Sequence, residues 1–200
     1  IGLMWLQWDR QAEAMAEQQL DTATRQRYMA IVTDETQRLE QIIGDLLDLA
    51  RLEGGGITLR REHVDVAALF ERVAARHGRE LVERQIRLVR RVDPGAARVP
   101  GDPDRLEQAL QNLAANALRH TPAEGEISLT AEAAGDRIRI TVRDTGPGVP
   151  RDHLPLIFDR FFKSDASRRA AGGSGLGLSI VKAIVGRHGG SSTARKEGGA

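Results

Sequence analysis

Between Tyr28 and Ala50 apolar residues return with a heptad-like spacing. Val32, Leu39, Ile42, Leu46 and Leu49 form the seam, and Ile31, Ile43, Leu47 and Ala50 widen it. A stripe that wide predicts a helix of a four-helix bundle, because a two-stranded coiled coil buries a narrower one. Residues 9–53 hold almost no helix breaker, and 20–24 (Leu-Asp-Thr-Ala-Thr) read as a short connection rich in capping residues. Residues 7–19 are therefore predicted as a first helix, antiparallel to the second. One such hairpin is half of a bundle, and a homodimer completes it. Gly54, Gly55 and Gly56 end the pattern and are predicted to be a hinge.

Past the glycines, helical and alternating patterns interleave. A short strand is predicted at 57–61, then a helix capped by Asp65 with Val66, Leu69, Phe70, Val73 and Ala74 on its apolar face. Residues 86–92 read as a strand, Pro94-Gly95 as a turn, and Asp102-Pro103 as the cap and first position of another helix. That helix carries Leu106, Leu110, Leu113 and Ala117 on one side and Asn112, Asn116 and His120 on the other, and Thr121-Pro122 stops it. Strands follow at 126–130 and 137–143, joined through Gly135. In the second, Ile138, Ile140 and Val142 alternate with Arg137, Arg139, Thr141 and Arg143, so one face is predicted buried and the other wet. The fold class is α+β, with a helical part at 1–53, a hinge at 54–56 and a mixed domain at 57–200.

Composition narrows this picture. The 200 residues include no cysteine, which excludes disulfides and thiolate metal ligands and fits a reducing compartment. Lys and Arg number 29 against 28 Asp and Glu, and the signs are interspersed, so no nucleic-acid stripe is predicted. The apolar start IGLMWL is too short to span a bilayer and lacks a signal peptide's cleavage pattern, so the chain as written reads as soluble.

Chemistry enters at three places. Asn112 and Asn116, one helical turn apart, offer neutral carbonyl oxygens of the kind a hard Mg²⁺ accepts beside phosphate oxygens; an ordinary polar outer face is the alternative. Asp144-Thr145-Gly146-Pro147-Gly148-Val149 sets a carboxylate at a strand end before two glycines, where a flat ligand fits against the main chain; the alternative is a turn in which Asp144 caps local amides. Gly172-Gly173-Ser174-Gly175-Leu176-Gly177-Leu178 runs into a helix bearing Ile180, Val181, Ile184 and Val185, an arrangement that presents amide donors and a positive dipole end to phosphate. It is no Walker loop, since no Gly-Lys-Ser/Thr follows.

Together these stretches resemble the catalytic part of bacterial two-component sensor histidine kinases, within the wider GHKL ATPase superfamily. NLAANALRHTP is similar to the N box, DTGPGVP to the first glycine box, IFDRFFKSD to the F box and GGSGLGLSIVKAIVGRHGG to the second glycine box. RLEQIIGDLLDLARLEGG resembles the second helix of the dimerisation and phosphotransfer hairpin. The resemblance implies a two-layer α/β sandwich of the GHKL type behind a hairpin, with ATP and Mg²⁺ as cofactors. It implies Asn116 and Asn112 as metal ligands, Arg119 and His120 at the phosphates or ribose, and Asp144 on the adenine amino group with Gly146, Gly148 and Val149 around it. Phe158, Phe161 and Phe162 would be the F box, 163–171 the ATP lid with Lys163 catalytic beside Asn112 and Arg119, and Gly173, Ser174, Gly175, Leu176 and Gly177 the phosphate loop.

In gyrase-type and chaperone relatives the residue one turn before the metal-binding Asn is a water-activating Glu. Here it is Asn112, and an amide cannot act as a general base, so transfer to a protein acceptor is expected rather than hydrolysis. The resemblance also implies a homodimer, a response-regulator receiver domain as partner, a cytoplasmic location and a parent anchored in the inner membrane by other segments. None of His63, His77, His120, His153 or His188 stands in the HELRTPL context of the family's phosphoacceptor, which is expected at or before residue 1. The C-terminus is expected to stop short of a closing strand, with Arg195 starting the one before it. The alternative reading is a GHKL regulatory module or a serine kinase of the anti-sigma type, which the hairpin-like helix disfavours.

Overall fold

The computed structural model describes residues 21–56, 58–163 and 173–196, with the backbone alone at Asp34. The chain divides into two compact units, 1–41 and 42–200. In the first, the described part is most of a long helix, α1 (Thr22–Glu53), whose remainder belongs to the second unit. Asp21 caps it, accepting from the Thr24 N–H at 2.6 Å, and this bond holds the Asp21 carboxyl below its ordinary pKa. Met29, Ile31, Val32 and Leu39 lie exposed along α1. The helix predicted at 7–19 lies outside the described residues.

The second unit adds β1 (Glu62–Asp65), α2 (Val66–Glu83), β2 (Arg87–Val92), a 3₁₀ turn (Pro94–Ala96), β3 (Arg98–Gly101), α3 (Pro103–His120), β4 (Glu126–Ala134), β5 (Arg137–Asp144) and α4 (Gly177–Arg187). β1 pairs antiparallel with β3, setting Val64 opposite Val99. The other sheet runs β2-β4-β5: β2 lies parallel to β4, and β5 antiparallel to it, with Leu129 opposite Val142 and Ala131 opposite Ile140. Helices cover one face of this sheet. Val66, Leu69, Phe70 and Val73 of α2 join Leu110 and Ala114 of α3 over Leu129 and Ala131 of β4. The arginines of β5 stand exposed on the other face, as the alternation requires.

Helix α3 is buried on more sides than one apolar stripe predicts. Ala117 and Leu118 pack with Leu81, Ile86 and Ile127, while Ala109 packs with Leu176, Ile180, Val181 and Ile184 leading into and along α4. The last turns of α1 complete this second cluster through Leu49 and Leu52, which are 2% and 0% exposed. Ile42 and Leu49 thus pack on the mixed domain, whereas Ile43, Leu46 and Leu47 stay exposed. The predicted seam is therefore split between two directions.

Both ends of α3 are fixed by charge. Asp102 is buried and accepts from the backbone N–H groups of Asp104 at 3.1 Å, Arg105 at 3.2 Å and Arg60 at 3.0 Å. Burial works against its charge, but these donors and the Arg60 guanidinium outweigh it and hold the carboxyl below the usual range. At the other end Arg84 donates to the carbonyls of Leu118, at 2.6 Å, and Thr121. A cation therefore meets the negative end of the helix dipole.

Several expectations are corrected. Residues 58–61 form no strand; the pairing begins at Glu62, because only there does β3 offer a partner. β3 itself was not foreseen, since Arg98-Val99-Pro100-Gly101 lacks alternation and contains a proline and a glycine. The fourth strand runs on past Thr130 to Ala134. Residues 191–196, where Arg195 was expected to start a strand, join no ladder.

Candidate functional site

Helix α3 carries one polar stripe between its buried sides: Asn112, Asn116 and His120 are half-buried and Arg119 is exposed. The glycine-rich loop before α4 lies against this stripe. A Cβ placed on Gly177 would stand 3.4 Å from Asn112 Oδ1, and one on Gly173 would collide with the Arg119 guanidinium. Two residues picked from the helix thus meet two picked from the loop. His120 is neutral-favouring: burial lowers its pKa, Arg119 lowers it further, and Asp144 opposes both.

The end of β5 meets the same helix. Asp144 Oδ1 accepts from the Gly146 N–H at 2.8 Å, so the turn is in part the local cap that the sequence left open. Gly146 is obligatory for contact rather than for turning, because a Cβ there would lie 2.6 Å from the His120 carbonyl oxygen. Thr145 fixes the register: its N–H donates to Glu126 O at 3.1 Å, and its hydroxyl accepts from the Glu126 N–H at 2.9 Å. The stem of Lys196 lies over Gly148.

The F-box stretch closes onto the glycine loop. The Phe161 N–H donates to Gly175 O at 2.9 Å, and a Cβ at Gly175, whose φ is +75°, would stand a tight 3.0 Å from the Phe161 backbone. Phe161 itself sits at φ 60° and is 56% exposed, a strained placement for an aromatic residue. Phe162 stacks edge-on against His153 with ring centroids 5.4 Å apart, and Phe158 is half-buried. The Leu176 side chain is fully buried in the core, so only its backbone can serve a ligand; its N–H donates to Ser174 Oγ at 3.2 Å. Lys163 is half-buried, and residues 164–172 of the predicted lid and loop lie outside the described residues.

Sequence reading missed Arg84, Thr145 and Lys196. Arg84 is distant in sequence from the helix it caps and left no signal. Thr145 left one, as the hydroxyl between a strand-end aspartate and a glycine.

Among the described residues no three His, Cys, Asp or Glu side chains gather into a metal-ligand group. A cation here would rely on the Asn112 and Asn116 oxygens and on oxygens of a bound phosphate, a donor set that suits Mg²⁺. Asn112 Oδ1 faces a loop position open for lack of a side chain, which fits that arrangement. A separate cleft of about 420 Å³, lined by Arg60, Arg61, Pro100, Gly101, Arg187 and His188, lies among other residues and shares none with these loops. Among the described residues no helix is long and apolar enough to cross a membrane.

Residues 101–200 match the family described as histidine kinase-, DNA gyrase B-, and HSP90-like ATPase. The sensor protein SrrB of Staphylococcus aureus (strain NCTC 8325 / PS 47) is 35% identical over 171 residues, covering 84% of this chain and 29% of SrrB. This chain therefore spans under a third of that relative. Full-length ShkA, solved in complex with AMPPNP, aligns with a TM-score of 0.72 at 34% identity, covering 84% of this chain and 35% of ShkA. Histidine kinase ThkA, solved in complex with the response regulator protein TrrA, aligns with a TM-score of 0.70 at 27% identity, covering 90% of this chain and 49% of ThkA.

The site makes a prediction about acid. Because the folded state depresses the His120 pKa below 6.5, it favours the neutral ring, and its contribution to stability is present above that value and lost as pH falls through the folded pKa. Proton NMR should place the His120 midpoint below 6.5 without ligand. His120→Gln should reduce the loss of stability on acidification; an unaltered acid limb in urea titrations would contradict this.

Proposed function

The chain belongs to the histidine kinase-, DNA gyrase B- and HSP90-like ATPases, and on that premise we propose that it is the ATP·Mg²⁺-binding catalytic core of a sensor histidine kinase in two-component signalling. The observation that carries this reading is the meeting of three sequence elements on one helix: Asn112 with Gly177, Arg119 with Gly173, and the His120 carbonyl with the Gly146 turn beside Asp144. Adenine would lie against the Gly146–Gly148 backbone with its amino group donating to Asp144. The phosphates would lie along Gly173–Gly177, where loop amides and the α4 N-terminus present positive partial charge. Asn116 and Asn112 would hold Mg²⁺, which neutralises phosphate charge when bound. Arg119 adds a cation on the same side, and Lys163 would approach from the F-box end.

Asn112 bears on the reaction. Its amide cannot take a proton from water, so the site orients and screens the phosphoryl group without a directed base for hydrolysis. Positioning and charge neutralisation are what phosphoryl transfer chiefly needs, and the acceptor would be a histidine on a partner segment. The serine-kinase reading gains no observation of its own, whereas α1 favours the histidine kinase. The exposed row Met29, Ile31, Val32, Leu39, Ile43, Leu46 and Leu47 on α1 supports a homodimer formed through this helix. A response-regulator receiver domain would then take the phosphoryl group.

Three outcomes are expected. In calorimetry Asp144→Asn should weaken ATP roughly ten- to a hundredfold, the worth of a hydrogen bond to a charged acceptor at about 1.5–3 kcal/mol; unchanged affinity would refute the adenine assignment. Labelled ATP mixed with this chain and a separate acceptor hairpin should leave acid-labile phosphate on histidine, whereas phosphoserine would favour the anti-sigma type of kinase. Light scattering should report a dimer that Leu39→Glu dissociates, and a monomeric wild type would count against pairing through α1.

A further inference from the structure

Three carboxylates on the last turns of α1 reach the mixed domain. Asp48 accepts from Gln108 Nε2 at 2.8 Å and from Arg105 Nη1 at 3.4 Å, and Glu53 pairs with Arg160. Asp45 goes elsewhere: its Oδ2 accepts from the Ser174 hydroxyl at 2.9 Å. Ser174 is the residue between Gly173 and Gly175, and its oxygen also takes up the Leu176 N–H. A carboxylate is thereby attached to the loop assigned above to the nucleotide phosphates. It is held there by packing, because Leu49 and Leu52, one and two turns further on the same helical face, are buried against Leu176, Ile180 and Ile184.

We propose that Asp45 is a positioning residue that sets the nucleotide affinity of this site: docked on Ser174, its charge opposes the phosphates and its hydrogen-bond chain occupies a loop amide they would use. The inference rests on the ATP reading of the loop and adds to it a restraint from α1. Nucleotide binding and the Asp45–Ser174 contact then oppose each other, and the opposition grows with the number of phosphate charges. At a separation of about 8–10 Å one unit charge alters affinity by roughly twofold in a water-like medium and roughly twentyfold at an effective dielectric near 20. Bound Mg²⁺ reduces the charge that Asp45 meets, and salt screens the remainder.

The test is calorimetry on the whole 200-residue chain in Mg²⁺ buffer, titrating adenosine, ADP and ATP into wild type and Asp45→Asn. Asparagine keeps a carbonyl acceptor for Ser174 and removes the charge. The expected result is ATP tightened about tenfold, ADP about threefold and adenosine unchanged, with the ATP gain shrinking as salt rises. An equal shift for all three ligands reports a merely structural role and overturns the proposal, as does no shift or a weakening. A wild-type chain that binds adenosine and ADP but not ATP would support the restraint in its strongest form only if Asp45→Asn restored ATP, and would overturn it otherwise. A wild-type chain that binds none of the three overturns the nucleotide reading instead.

Discussion

Everything in the mixed domain depends on α3 being held still while one of its faces is left open. An amphipathic helix with a single apolar stripe can roll on its neighbour. α3 cannot, because Ala114 faces the sheet, Ala109 faces α4, and Ala117 with Leu118 faces the end of α2, an alanine at each contact allowing close approach. Its two ends are pinned as well. Asp102 collects three backbone donors at the start, and Arg84 occupies two carbonyls at the finish. The strip between these packed sides is narrow, and it carries Asn112, Asn116, Arg119 and His120.

Pinning at the C-terminal end matters most for the site. The His120 carbonyl is one wall of the Gly146 turn, so a shift of α3 along its axis would move the Asp144 loop with it. Arg84 prevents that shift from outside the site. The ladder does the same for the other partner: Thr145 continues the β4–β5 pairing by one more residue through its side chain, so the aspartate and the glycines start from a fixed strand end. Preorganisation of this kind comes from helix ends and strand ends, which are the stiffest places from which to hang a loop.

Much of this was legible in the sequence, and the physical reason is that the signals were local. Asp65 and Asp102 cap helices because a short acidic side chain reaches its own N-terminal amides, and both caps are present. The alternation at 137–143 and the apolar face of α2 are equally local and equally visible. What stayed hidden depended on partners far away in the chain. β3 is a strand only because β1 lies beside it; α1 gave no sign that Ile42, Leu49 and Leu52 turn toward the mixed domain while Ile43, Leu46 and Leu47 do not. The site shows the same division. Residue type and spacing singled out the Asn112 stripe, the Asp144 turn and the glycine loop, which meet on α3, and the F-box phenylalanines came only from the family resemblance; Arg84 and Lys196 approach from remote segments, and Leu176 presents a buried side chain and only its backbone.

The split seam of α1 has a consequence for how the long helix is to be understood. A helix designed only to pair with its own kind would keep one continuous apolar face and place charges at its flanks. This one instead carries Asp45, Asp48, Leu49 and Leu52 on a face that meets α3, α4 and the glycine loop, and an exposed apolar row that includes Ile43, Leu46 and Leu47. The first face mixes carboxylates with leucines, which gives it directional bonds that a nucleotide's charge can oppose; the second is apolar and insensitive to charge. On the proposed reading, a dimer contact would then persist through changes in nucleotide occupancy, while the contact with the mixed domain would not. The same helix would be permanent on one side and conditional on the other, and the difference lies in the placing of two aspartates.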